Sequence, residues 1–191
     1  TSACTARLAN AVRVVDQTTL ALAMPSLVPA FGWVGESTAV TVFANSSPGW
    51  AWINTGYVAQ LNEWTHVAVV YDNGDVRTYA DGELVHFFDG SGLIGDVHAQ
   101  WNNLEIGARQ GFSQLFQGAI DEVRTWTATR SQTQIRDNMN RVLAGDEPGL
   151  AGYWRFDDQS TGATVQDSGP NHNDGFAQGG ATRIVGPIRV D

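Results

Sequence analysis

The chain has a single cysteine, Cys4, so no disulfide within it can brace the fold. Basic residues are scarce: 11 Lys and Arg stand against 20 Asp and Glu, a formal charge of −9. That deficit argues against a nucleic-acid partner, whose phosphates require a basic surface. It suits a protein that holds cations through clustered carboxylates. No apolar run has the length of a membrane span and no intact signal peptide is evident; the opening at Thr1 rather than Met suits either a processed product or an excised piece. Motifs of catalysis are missing as well. His66, His86, His98 and His172 are scattered, with no i, i+4 pair to suggest zinc. There is no E-x-D-x-E run, no supported nucleophile–His arrangement and no phosphate-cradling glycine loop. The closest acidic pair, Asp121 and Glu122, is adjacent and so faces opposite ways on a strand. These absences argue against an enzyme.

What is present suits a core. The 191 residues are 42% hydrophobic with 7 Trp and 21 Gly, enough for one domain of many short strands joined by tight turns. The clearest stretch is LNEWTHVAVVYDNGDVRTYADGELVHFF. Val67, Val69 and Tyr71 alternate with Trp64, His66, Ala68 and Val70, which predicts a central strand covered on both faces. Turns at Asp72-Asn73-Gly74 and Asp81-Gly82 make two consecutive hairpins, which excludes a parallel sheet here. Leu8 with Val12, Val14 and Val15, then Leu20, Leu22 and Met24, and then Ala39 to Phe43 also pattern as strands, as do Trp50, Trp52 and Asn54, and Leu104, Ile106 and Ala108.

In Gly118 to Trp126, GAIDEVRTW, the apolar residues Ile120, Val123 and Trp126 are spaced by three. A strand turns all three inward only with a bulge near Asp121 and Glu122, and one is predicted there. Ser131 and Gln134 then form a capping box, with Ile135, Met139 and Val142 on one face of a short helix ending near Gly145. A strand over Gly149 to Asp157 follows, then an oxygen-rich loop over Val165 to Gly175. Ile184 to Val190 reads as a last edge strand, limited by Pro187.

The strings LNEWTHVAVVYD, YADGELV, LEIGAR and FQGAIDEVRTWTATRSQTQI, in that order, resemble the laminin-G-like, concanavalin-A-like family over Leu61 to Gly175. The resemblance implies an all-β, two-sheet antiparallel jelly-roll sandwich with one short helix after the closing strand, as a single domain over residues 1–191. Domains of this family usually begin with a YW-F-D strand and an asparagine-rich loop. Here the matching pieces, Tyr153 to Asp157 and Asp167 to Gly175, come last. The tail 149–191 therefore closes the domain in permuted order, begins a neighbouring repeat, or completes another copy's sandwich. Tyr153, Trp154 and Phe156 are the strand-exchange candidates, because an aromatic strand must pair somewhere.

Two kinds of site follow. Asp167, Asn171, Asn173 and Asp174, with Asp121 as a distant partner, have the oxygens for a structural calcium ion, which the resemblance also implies; the same residues build turns by themselves. Trp50, Trp52 and Trp101, with Asn102 and Asn103, offer rings for sugar stacking and amides for hydroxyls, against a plain role in the core. The expected function is a non-catalytic recognition or adhesion module, extracellular or at the cell surface, binding glycans or extracellular proteins without inserting into a membrane. The alternatives are a subunit of an extracellular homopolymer that shares its terminal strand, and an ancillary domain of a glycoside hydrolase or protease.

Overall fold

The computed structural model describes residues 8–15, 30–34, 37–42, 46–47, 51–59, 63–92, 104–107, 116, 118–158 and 162–183, with the strands before Thr55 described through their backbone register. In chain order the strands are β1 (Leu8–Val15), β2 (Ala30–Val34), β3 (Ser37–Val42), β4 (Ser46–Ser47), β5 (Ala51–Asn54), β6 (Thr65–Asp72), β7 (Asp75–Ala80), β8 (Glu83–Phe88), β9 (Ser91–Gly92), β10 (Ala119–Trp126), β11 (Leu150–Trp154), β12 (Thr164–Val165) and β13 (Gly175–Phe176). Helix α1 (Gln132–Asn138) lies between β10 and β11.

Turn chemistry builds the meander. Asn73 and Gly74 take φ of 53° and 112°, and Asp81 and Gly82 take 48° and 76°, the left-handed pairs that two-residue hairpins require. Gly74 is also a close approach, since a Cβ there would sit 2.2 Å from the Ser91 backbone. The Asp81 carboxylate accepts the His66 N–H at 2.8 Å, tying the second turn back to β6. The resulting antiparallel sheet has the order β11-β10-β1-β6-β7-β8, so the first strand sits centrally and the last at an edge. A second sheet has the order β2-β3-β5, and β4 pairs with β9 and β12 with β13.

The main sheet is buried on both faces, as the alternation in β6 predicts. One face carries Val67, Val69, Tyr71, Val76, Val123 and Trp154, backed by Tyr57, Leu104, Ile106, Phe116 and Ile120. The other carries Ala68, Val70, Tyr79, Trp126, Leu150 and Tyr153, closed by Ile135 and Leu143. Each large aliphatic or aromatic side chain buried this way contributes roughly 1.5–3 kcal/mol of transfer free energy.

The predicted bulge is present. Ala11 and Arg13 of β1 pair with Arg124 and Asp121 of β10, so two residue steps on one strand meet three on the other. Glu122 takes the strained φ of 55° at that point. The extra residue turns Ile120 onto the same face as Val123. Trp126 differs from expectation: three positions beyond Val123 and past the bulge, it lies on the opposite face, beneath α1. Both faces being buried, each residue still finds a core.

Helix α1 starts as predicted, with the Ser131 hydroxyl accepting from Gln134 N and the Gln134 side chain accepting from Ser131 N. It ends at Asn138, well short of Gly145, and Val142 is 52% exposed while Leu143 takes the buried place. The stretch from Leu104 is no regular strand: Glu105 forms an isolated bridge and Gly107 turns at φ 79°. Leu20, Leu22, Met24 and 184–190 lie outside the described residues. No helix among the described residues is long and apolar enough to cross a membrane.

Candidate functional site

The oxygen-rich loop packs along the outer side of β11. Asp167 is 3% exposed, and its carboxylate collects three backbone N–H groups. Oδ1 accepts from Tyr153 N at 2.7 Å and from Gly169 N at 2.8 Å, and Oδ2 accepts from Asn173 N at 2.8 Å. Asp174 accepts from Asp167 N at 2.9 Å, Asn171 donates its amide to Ala151 O at 2.8 Å, and the Trp154 indole N–H donates to Asn173 O at 3.1 Å. The exposed His172 takes φ 50° to close the turn. The Gly169 N–H bond to Asp167 is of the kind by which Asx residues build turns.

A calcium ion needs six to eight oxygens turned toward one point. Here the Asp167 oxygens are turned toward amide protons, and Asp121 sits on β10 in register with Arg13 of β1. Among the described residues no three His, Cys, Asp or Glu side chains converge as a metal set. The Asp167 carboxylate is thus engaged by backbone amides. Beside the loop an open polar recess of about 360 Å³ is lined by Gln166, Asp167, Ser168, His172 and Asp174.

The strand-exchange candidates pair within their own chain. Val123, Arg124 and Thr125 of β10 are in register with Trp154, Tyr153 and Gly152 of β11, and Trp154 bridges to Asp167 on the far side. Phe156 lies past the strand, half-buried at φ 58° against the first core.

A polar knot not singled out in the sequence lies on the helix side of β10. Arg124, 3% exposed, donates to Glu122 at 2.5 Å, to Asn138 O at 2.7 Å and to Arg141 O, and stacks 5.0 Å from the Tyr153 ring centroid. Tyr153 donates its hydroxyl to Glu122 at 2.5 Å and accepts from Leu143 N at 3.3 Å. Burial first, then the bond to the Glu122 carboxylate, push the Tyr153 phenol up to about 12. Glu122 is therefore committed to structure. The alternation of Arg124 between Val123 and Thr125 was the available sequence signal: a charge on a strand buried on both faces requires partners.

A second polar spot lies at the β7–β8 pair. Thr78 and His86 are in register, yet Thr78 Oγ1 and His86 Nδ1 are buried without hydrogen-bond partners. Burial holds the His86 imidazole below its ordinary pKa.

Of the sugar-binding candidates, Trp50, Trp101, Asn102 and Asn103 lie outside the described residues, as does Cys4. Trp52 is on β5 in register with Thr41 of β3, and Asn54 with Ala39. Ala30 and Gly32 of β2 are in turn opposite Thr41 and Ala39. Directly opposed residues share a face, so Trp52, Asn54, Thr41, Ala39, Gly32 and Ala30 define one face of this sheet. Phe31, Trp33, Thr38, Val40, Val42, Ala51 and Ile53 hold the alternate register positions.

A solved structure similar to this chain is that of a candidate carbohydrate-binding protein from Bacteroides ovatus, at TM-score 0.68 and 22% identity, over 85% of this chain and 49% of that one. The chain thus spans about half the length of that relative. Domain 4 of an extracellular arabinanase from Geobacillus stearothermophilus, solved with arabinotriose, is a looser likeness, at TM-score 0.49 and 19% identity over 69% of this chain and 66% of that one. No curated protein matches the sequence. The family model described as the concanavalin A-like lectin/glucanases superfamily matches residues 15–136, and with its antiparallel all-β architecture the chain belongs to that superfamily.

Proposed function

We propose that this chain is a non-catalytic glycan-recognition module acting outside the cell, and that the Trp52 face of the β2-β3-β5 sheet is its binding surface. The observation that carries the reading is the register of that sheet. At alternate register positions it groups one large aromatic residue, Trp52, with Ala30, Gly32, Val34 and Ala39 and the hydrogen-bonding residues Ser37, Thr41 and Asn54. A sugar ring needs such a combination: a flat apolar platform with low surroundings, and hydroxyl or amide groups at its rim. The commitment of Glu122 to Arg124 and Tyr153 supports a binding role over hydrolysis. The Bacteroides ovatus relative makes glycans the first ligands to try.

The test is a glycan array followed by calorimetry on the ligands found. Trp52→Ala is expected to weaken binding at least about tenfold, as loss of an aromatic anchor does, with an unchanged melting temperature. Trp52→Phe should retain most of the affinity. Full affinity in Trp52→Ala would remove this face from the account.

A further inference from the structure

The oxygen-rich loop lies along an edge of the main sheet. β11 ends the main sheet, and the outward backbone groups of an edge strand template pairing with another chain. Here three of them are already taken. Tyr153 N donates to Asp167 Oδ1 at 2.7 Å, Tyr153 O accepts from Ser168 N at 2.7 Å, and Ala151 O accepts from Asn171 at 2.8 Å. The loop reproduces, from side chains and turns, the bonds that a neighbouring strand would make. It is seated from behind as well: a Cβ on Gly145, at φ 98°, would lie 2.1 Å from Ser168 O.

We propose that residues 167–174 are a built-in plug that keeps the chain monomeric, with Asp167 as its latch. Opening the latch exposes the β11 edge to the same edge of a second copy, and the two main sheets join antiparallel across it. β11 carries an extra residue, Ala151, between the pairs Thr125–Gly152 and Trp126–Leu150, but its register from Gly152 to Trp154 is regular and is the part the loop covers; β8 is the opposite edge. β8 carries an extra residue, Val85, between the pairs Thr78–His86 and Tyr79–Leu84, and such a bulge twists an edge away from partners. Asp167 is a positioning residue for the edge, touching no ligand. It holds β11, the loop turn and Asn173 at once because one carboxylate accepts from all three.

The experiment uses the full chain, with hydrogen exchange at the Tyr153 amide and light scattering over a concentration series. In Asp167→Ala that amide is expected to exchange at least about tenfold faster while the β6 amides stay protected. The chain should also pass from monomer to dimer as concentration rises. Val123→Ala, a core truncation that leaves the plug intact, should remain monomeric. If Asp167→Ala does not fold, Asn171→Ala with Asp174→Ala loosens the same loop from outside, and a smaller rise in Tyr153 exchange with partial dimerisation is expected. A Tyr153 amide that keeps its protection, a monomer at every concentration, or equal association of Val123→Ala would overturn the proposal.

Discussion

At the β11 edge of the main sheet the outward backbone groups of Tyr153 and Ala151 are hydrogen-bonded by a loop of the same chain. At the β8 edge the strand instead carries the Val85 bulge and exposes Glu83, Leu84 and Phe87, the last two at 48% and 49%. That hairpin is braced from below: Gln132 and Arg136 of α1 donate to Gly82 O at 2.8 and 3.1 Å, and Arg136 pairs with Glu83 at 2.5 Å. Both edges carry a bulge, at Ala151 in β11 and at Val85 in β8, and the β11 edge is also covered by a loop. The difference follows from what each strand must do. β11 buries Tyr153 and Trp154 on opposite faces over its regular stretch Gly152–Trp154, and there the polar cover satisfies its outward groups. β8 packs fewer large groups and tolerates a bulge.

The comparison can be broken most sharply at Arg124. Arg124→Met takes the charged donor from half-buried Glu122 and from the Asn138 and Arg141 carbonyls, and should cost about 3–5 kcal/mol in chemical denaturation. A loss below about 1 kcal/mol would show that the β11 side does not depend on its polar knot.

Tyr153→Phe tests the same side more gently, at about 1–2 kcal/mol for two lost hydrogen bonds. Its signature is in pH. The Tyr153 phenol is raised from 10.0 to about 12 in the folded chain, so above pH 10 the unfolded chain releases that proton while the folded one keeps it. Stability from this group is full below pH 10 and falls as pH climbs toward 12, by roughly 2 kcal/mol. The wild type should show that decline in alkaline melts, and Tyr153→Phe should flatten it. Identical slopes would sever the link between the hydroxyl and stability.

The smallest effect belongs to the β8 side. Ser131→Ala removes the N-cap of the bracing helix and should cost about 1 kcal/mol. The loss should appear as faster exchange in α1 and the Asp81-Gly82 turn, with the Tyr153 amide unchanged. A matching change at Tyr153 would mean that the two edges are one cooperative unit.

Much of the fold was legible because local physics dictated it. Positive-φ turn pairs fixed both hairpins, alternation in β6 declared two buried faces, and the spacing of Ile120 and Val123 required a bulge. The capping box placed the start of α1, although not its end. Nothing local decides whether the chain after Ser131 exposes Val142 or Leu143; the seat beneath Trp126 does.

The candidate sites were less legible. Asp167, Asn171, Asn173 and Asp174 read equally as ion ligands or turn builders, since both uses need the same oxygens. Which way those oxygens point depends on the backbone N–H groups of Tyr153, Gly169 and Asn173, brought together only when β11 takes its place beside β10. The role of Arg124 depends on the helix carbonyl groups that fold over it.

By itself, then, the sequence determined the antiparallel meander, the bulge and the helix start, because each arises from backbone preferences and hydrophobic spacing over a few residues. The tertiary structure decided the place of the tail strand, the use of the oxygen-rich loop and the partners of the buried arginine. Those depend on contacts between segments far apart in the chain, whose hydrogen-bonding groups become mutually available only in the folded sheet.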